Sequence, residues 1–285
     1  MRLALIGVGL IGGSFAAALR AAGAVSQVTG FDADSDAITA ALSRGIIDRA
    51  ATSAADAAGD ADLVVVATPV GAMRAAFSEI AGALITSAVV TDVGSTKCSV
   101  IDDARAAFGA AFPRFVPAHP IAGGERPGVE HAAADLFRKR LVITTPLPAT
   151  DASAAALVEE LWRKVGARLE RLSPEQHDKV FAAVSHLPHL LAFALVEMIA
   201  RGPDAETRFS HAGAGFRDFT RIAASSPDMW RDICLANRQP LADELRAYRA
   251  QLDLLQAAVE AGDGETLHAV FTAAAAAKRG RSPAA

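Results

Sequence analysis

The sequence predicts an α/β fold, with a parallel sheet in the N-terminal part and only helices in the C-terminal part. Three observations carry this. Apolar runs alternate with Ala-rich helical stretches through residues 1–172, the signature of right-handed βαβ units. The alternation stops at Ser173-Pro174-Glu175-Gln176, where a cap, a first-turn proline and a capping-box Gln open a helix. Three polar motifs each directly follow an apolar run, so one sheet would carry all three to a single edge.

Strands are expected at 2–7, 27–32, 62–67, 88–92, 114–118, 140–145 and 167–172. Helical spacing fills most of the gaps, as at Ser14–Ala22 and Asp34–Arg44. Residues 1–172 are read as one domain and 173–285 as a second, with helices over 174–201, 204–212, 216–224, 227–236, 238–260 and 263–278. In 238–260, Leu241, Leu245, Tyr248, Leu252, Leu255 and Val259 make an apolar stripe suited to dimerisation or to packing within one chain.

The first motif is Gly7-Val8-Gly9-Leu10-Ile11-Gly12, between the run Leu3-Ala4-Leu5-Ile6 and a helix. Asp32 ends the second run, 20 residues after Gly12. Together these form a dinucleotide fingerprint, and the sheet is expected to be a doubly wound, Rossmann-type one. Gly7 permits the turn, Gly9 admits the pyrophosphate and Gly12 lets helix pack on strand, with the helix N-terminus holding the phosphates. Leu10, Ile11, Thr68 and Ser95 join the candidate cofactor contacts. The Asp32 carboxylate accepts from a ribose 2′-OH and repels a 2′-phosphate, and Ala33-Asp34-Ser35 supplies no Arg. NAD is therefore expected over NADP; FAD would satisfy the fingerprint but suits the later motifs poorly.

The second motif is Asp92-Val93-Gly94-Ser95-Thr96-Lys97 and the third His119-Pro120-Ile121-Ala122-Gly123-Gly124-Glu125. His119 suits proton transfer near neutral pH, with Ser95 beside it on a substrate hydroxyl. Asp92 is read as structural, and Lys97 either as fixing its loop or as approaching the cofactor. Ser185-His186-Leu187-Pro188-His189 puts a proline inside a helical stretch, where it clashes with the carbonyl of Val184 and should kink the helix. Ser185 and His189 would then line a pocket. Arg217 and Arg221 share a helical face among Phe216, Phe219 and Trp230, and either guanidinium can grip a carboxylate through two parallel bonds. The His pair lacks a third ligand, so no metal is expected.

The chain has 285 residues, 52% of them hydrophobic, with net charge −4 and two distant cysteines. That suffices for two domains, offers no basic field for nucleic acid, and fits a reducing cytoplasm. Four glycines between Gly7 and Gly13 weaken the case for a signal peptide, and no run is long enough to suggest a membrane partner.

In GVGLIGGS (7–14), DVGSTK (92–97), HPIAGGE (119–125), SHLPH (185–189) and GFRDFTRIAASSPDMW (215–230), in this order from residue 2 to about 275, the chain resembles the prephenate dehydrogenase family, which includes arogenate and cyclohexadienyl dehydrogenases. The resemblance implies NAD-dependent oxidative decarboxylation of a cyclohexadiene dicarboxylate in tyrosine biosynthesis, by a homodimer whose helical domain dimerises. It makes His119 the base at the C4 hydroxyl and Ser95 a second contact there. His189 and Arg221 become substrate-binding positions, with Arg221 as carboxylate clamp and Glu125, Ser185 and Trp230 as pocket or gating positions. Ala214 departs from the family's glycine run. No fused mutase or amino-acid-sensing domain is expected, so feedback by tyrosine would act by competition. Two other classes share the glycine loop but not the rest of the pattern. A β-hydroxyacid dehydrogenase would need an Asn four residues after Lys179, where Ala183 stands. A nicotinamide-sensing regulator would need the glycine loop and Asp32, but not His119, Ser95 and Arg221 together.

Overall fold

The computed structural model describes residues 1–123 and 126–280. Six parallel strands form the main sheet: β1 (Arg2–Ile6), β2 (Gln27–Phe31), β3 (Arg49–Ala50), β4 (Leu63–Val66), β5 (Val89–Asp92) and β6 (Phe115–Val116), in the order 3-2-1-4-5-6. This is the doubly wound arrangement, with the order reversing between β1 and β4. Successive residues of one strand serve opposite cores. Leu3, Leu5, Leu63 and Val65 face the cluster of Phe15, Phe137 and Trp162, while Ala4, Ile6, Val64 and Val66 face that of Phe77, Phe108 and Phe115. Burial on both faces is why these runs are continuously apolar rather than alternating. Strand β3, with two residues, is too short to leave a pattern in the sequence.

The expected strands at 140–145 and 167–172 do not extend this sheet. They become β8 (Leu141–Thr144) and β9 (Arg168–Arg171) of a second, three-stranded sheet, led by β7 (Ala118–Pro120) antiparallel to β8. The single run expected at 114–118 is split at Pro117, which has no N–H to continue a ladder. Ala118 N–H instead donates to the Asp92 carboxylate, 3.2 Å, and Thr145 N–H to the Pro117 carbonyl, 3.0 Å. The chain thus leaves the main sheet at Pro117, two residues before His119.

The helices follow the expected positions closely. Ser173 and Gln176 form the capping box of helix Pro174–Phe181. Pro188 leaves its mark one turn earlier: residues Ala182–His186 are π-helical before the α-helix resumes at Leu187–Ala200. The wider turn accommodates the proline ring and the missing donor, and such bulges recur at functional sites. The combined helix Pro174–Ala200 is, by length and composition, long and apolar enough to cross a membrane, which corrects the expectation that no run reaches that length. Its first two turns bury Pro174, His177, Asp178 and Phe181 on one side.

Packing divides the chain into units Met1–Arg238 and Gln239–Ala285. The change of secondary-structure type at 172/173 is therefore not where packing within this chain divides, because helices Pro174–Phe181 and Pro227–Ala236 pack against helices Cys98–Phe108 and Val70–Ala81 of the parallel-sheet region. Every candidate site residue among the described ones belongs to the first unit.

Candidate active site

The cofactor edge is built from backbone. Gly7 has φ +93°, and a Cβ there would lie 2.6 Å from the Ala67 carbonyl carbon. A Cβ on Gly12 would meet the Gly7 carbonyl oxygen at 2.5 Å, so this glycine sets the helix–strand distance. Gly9 is different: nothing lies within 4 Å of its would-be Cβ, leaving open the approach a pyrophosphate needs. Helix Leu10–Ala21 has no side-chain cap, and its first internal bond runs from Gly13 N–H to the Gly9 carbonyl, 2.8 Å. The N–H groups of Leu10, Ile11 and Gly12 thus stand at an uncapped helix start. The Asp32 carboxylate accepts from Val8 N–H at 2.6 Å and Asp34 N–H at 2.9 Å, which fixes it beside the loop with lone pairs to spare for a ribose hydroxyl. Past β4, the Thr68 hydroxyl is buried with no hydrogen-bond partner, an orphaned group of the kind a bound ligand satisfies. These residues fit a dinucleotide.

The next loop is pinned from below. Lys97 and Asp92 are a fully buried ion pair. Burial pulls Lys97 below the ordinary lysine value, and Asp92 opposes that shift. The Lys97 ammonium also donates to the Ala118 carbonyl, 2.7 Å, so it ties the loop carrying Ser95 to the strand carrying His119. Of the two readings of Lys97 from sequence, the geometry places it in the structural one.

His119 stands at the head of a relay. Its Nδ1 lies 2.8 Å from His177 Nε2, and His177 Nδ1 lies 2.8 Å from Asp178 Oδ1. A carboxylate only accepts, so His177 Nδ1–H donates to Asp178 and His177 Nε2 must accept from His119 Nδ1–H. That leaves the lone pair of His119 on Nε2, which has no hydrogen bond among the described residues. Asp178 also accepts from the N–H groups of Lys97, 2.7 Å, and Cys98, 2.9 Å, at the start of helix Cys98–Phe108. Burial acts to raise the Asp178 pKa, but His177 and these N–H groups overcome it and hold the carboxyl below the usual range. Burial, then the neighbouring His177 and Lys97, push His119 well below the ordinary imidazole value of 6.5. The ring is therefore neutral and able to accept a proton at neutral pH.

A cavity of about 310 Å³ opens over this ring, lined by His119, Pro120, Ile121, Ala122, Phe181, Val184 and Ser185. The π-helical turn thus puts Ser185 on the same wall as the base. His189 Nδ1–H donates to the Ser185 carbonyl, 2.9 Å, and the His189 ring stacks on Trp230 at 3.6 Å. Burial lowers the His189 pKa; the Ser185 carbonyl opposes this and the Arg221 charge adds to it. Arg221, exposed at the head of the turn Arg221–Ala224, therefore belongs to the surroundings of His189. Arg217 does not join them in this geometry: it is exposed and donates to the carbonyl of Ala212, 2.5 Å. Glu125 lies outside the described residues.

His177 and Asp178 were missed in the sequence. The usable signal was their spacing with Pro174 and Phe181, i, i+3, i+4 and i+7: two titratable groups on the stripe that a helix buries.

The sequence model described as "Prephenate dehydrogenase, nucleotide-binding domain" matches residues 15–171, and "Prephenate dehydrogenase, dimerization domain" matches 173–273. The prephenate dehydrogenase of Bacillus subtilis is 36% identical over 272 residues, 95% of this chain and 73% of that protein. The cyclohexadienyl dehydrogenase of Zymomonas mobilis is 36% identical over 270 residues, 93% of this chain and 90% of that protein. A crystal structure of the prephenate dehydrogenase from A. aeolicus with hydroxyphenyl propionate and NAD+ superposes with TM-score 0.89 at 36% identity, covering 98% of each chain.

Proposed function

The chain belongs to the prephenate dehydrogenase family, and from that premise we propose how its own residues carry the reaction. It is an NAD-dependent oxidoreductase that oxidises and decarboxylates prephenate, arogenate or both, in tyrosine biosynthesis. Bound NAD supplies the hydride acceptor. Gly7, Gly9, Leu10, Ile11, Gly12, Thr68 and Ser95 line its place, and Asp32 receives its ribose.

The proton chemistry falls to His119. The C4 hydroxyl of the substrate donates to His119 Nε2 and gives up its proton as the C4 hydrogen departs as hydride. The C1–carboxylate bond then breaks, carbon dioxide leaves, and the electron pair runs through the ring to the oxygen on C4. His119 returns its proton to that oxygen, leaving a phenol. His177 and Asp178 hold the base in its Nε2-accepting tautomer and balance the transient imidazolium. Ser95 shares the hydroxyl. Arg221 grips a carboxylate at the rim, with His189, Trp230 and Ser185 around the ring; Glu125 is a further proposed substrate contact, and Arg217 is the alternative clamp. The observation that carries the reading is the oriented His119–His177–Asp178 chain, opening into a cavity on the edge where the glycine loop lies.

We assign residues 1–172 to dinucleotide binding and 173–285 to substrate binding and homodimerisation. Helix Leu187–Ala200, apolar apart from His189 and Glu197, buries only Leu187 and Ala192 and exposes Met198, which supports a second copy as its cover. In the second unit, Leu252, Leu254, Val259 and Phe271 are likewise exposed. A cytoplasmic enzyme without membrane or nucleic-acid partners is consistent with the buried polar groups His177, Asp178 and His186 on helix Pro174–Ala200 and the net charge of −4.

Steady-state assays with prephenate and arogenate, each with NAD and NADP, test the proposal. Coupled release of NADH and carbon dioxide is expected. NAD binding without turnover of either substrate would overturn it in favour of a nicotinamide-sensing protein.

A further inference from the structure

Helix Pro227–Ala236 ends at Asn237, an amide only 2% exposed and without a part in the chemistry so far. Its Nδ2 lies 2.8 Å from the Asp178 carbonyl and 3.0 Å from His186 Nδ1. The Asp178 carbonyl can only accept, so the nitrogen of the amide, not its oxygen, must face it. Both amide hydrogens are then committed, one to each partner. His186 Nδ1 accepts, so the proton of this ring sits on Nε2.

His186 is 1% exposed, and burial pulls its pKa down to about 4, so the ring is neutral. Its Nε2 is buried without a hydrogen-bond partner, and the backbone of Ser95 is the main-chain group whose proximity opposes the shift. The helix that ends at Asn237 also carries Trp230, stacked on His189. One element therefore reaches both the relay and the substrate wall.

We propose that Asn237 is a positioning residue for the reaction: its amide clamps the Asp178 main chain to His186, holding the Asp178 carboxylate under His177 and the His186 ring against the Ser95 loop. The clamp joins three segments distant in sequence, residues 92–97, 174–189 and 227–237, at the point where base and cofactor loop must keep register. A displacement of about 1 Å between reacting groups costs on the order of 100-fold in rate, so a clamp of this kind acts on turnover rather than on ground-state binding. The inference rests on the dehydrogenase reading of the site.

The test is Asn237→Ala and Asn237→Ser in the full-length enzyme, with turnover expressed per NAD-binding site so that loss of folded protein is divided out. Asn237→Ala is expected to lower kcat about 10- to 100-fold with little change in KM for prephenate or in NAD affinity. Asn237→Ser, which keeps one donor, is expected to fall between Ala and wild type, and it serves alone should the Ala variant not fold. Nitrogen-15 spectra of the histidines should show His186 as the Nε2–H tautomer in wild type and lose that preference in the variants. Wild-type kcat per site in Asn237→Ser or Asn237→Ala, or an unchanged His186 tautomer, would overturn the clamp. Absence of turnover in the wild-type enzyme itself would instead sink the dehydrogenase reading.

Discussion

The glycine loop follows β1 and the base centre is tied to the end of β5 through Asp92 and Lys97, but the two are made of different materials. From Gly7 to Gly12 the working parts are N–H groups and the absence of side chains, supplied by six consecutive residues and one carboxylate, Asp32. Around His119 the working parts are side chains from separate elements: Asp92 from the end of β5, Lys97 from the loop after it, His119 from β7, His177 and Asp178 from the helix after the second sheet. The first kind of site is local and is damaged by adding atoms. The second is assembled by packing and is damaged by removing a single acceptor. Binding of NAD and transfer of the substrate proton should therefore fail separately.

His119→Asn is the sharpest way to break that separation. It should lower turnover about 100- to 10,000-fold, the range for loss of a general base, while calorimetry finds NAD affinity unchanged. A parallel loss of NAD affinity would mean that the two regions are one.

Arg221→Ala comes next. Loss of a charge-assisted carboxylate contact should raise KM for prephenate about 10- to 100-fold and spare NAD binding. Arg221→Lys should recover part of it, because an ammonium lacks the planar fork. Arg217→Ala, whose guanidinium donates to the Ala212 carbonyl, should leave KM near wild type, and the reverse ranking would move the clamp to Arg217.

On the cofactor side, Asp32→Ser removes both the ribose acceptor and the repulsion of a 2′-phosphate. The ratio of kcat/KM for NAD over NADP should fall about tenfold, and equal use of both cofactors by the unchanged enzyme would remove Asp32 from selectivity.

The smallest effect concerns pH. His119 must be neutral to accept a proton, and its pKa is held below 6.5 by burial and by the neighbouring His177 and Lys97. Activity on the acid side should therefore persist below pH 6.5 and fall only as the medium drops through that lowered value. An acid limb centred above 6.5 would show that burial does not control this base.

Legibility in the sequence follows the same division. The main strands, the capping box at Ser173 and the glycine fingerprint were readable because each is specified within a few residues by periodicity, cap chemistry or backbone freedom. His119 was readable as a candidate because it follows an apolar run. His177 and Asp178 were not, since nothing in a helix-forming stretch says that its buried stripe lies under a histidine 58 residues earlier. The second sheet was also misplaced: the apolar run at 141–144 and the alternating stretch at 167–172 announce strands but not their partners, and Pro117 decides that.

By itself the sequence determined a doubly wound nucleotide fold, a helical continuation, NAD as cofactor and the family's chemistry, because these depend on local pattern and motif order. Only the tertiary structure decided which nitrogen of His119 is free, why that ring stays neutral, and which segments hold it there. Tautomer and pKa are set by partners a few ångströms away in space and far along the chain, and packing alone brings them together.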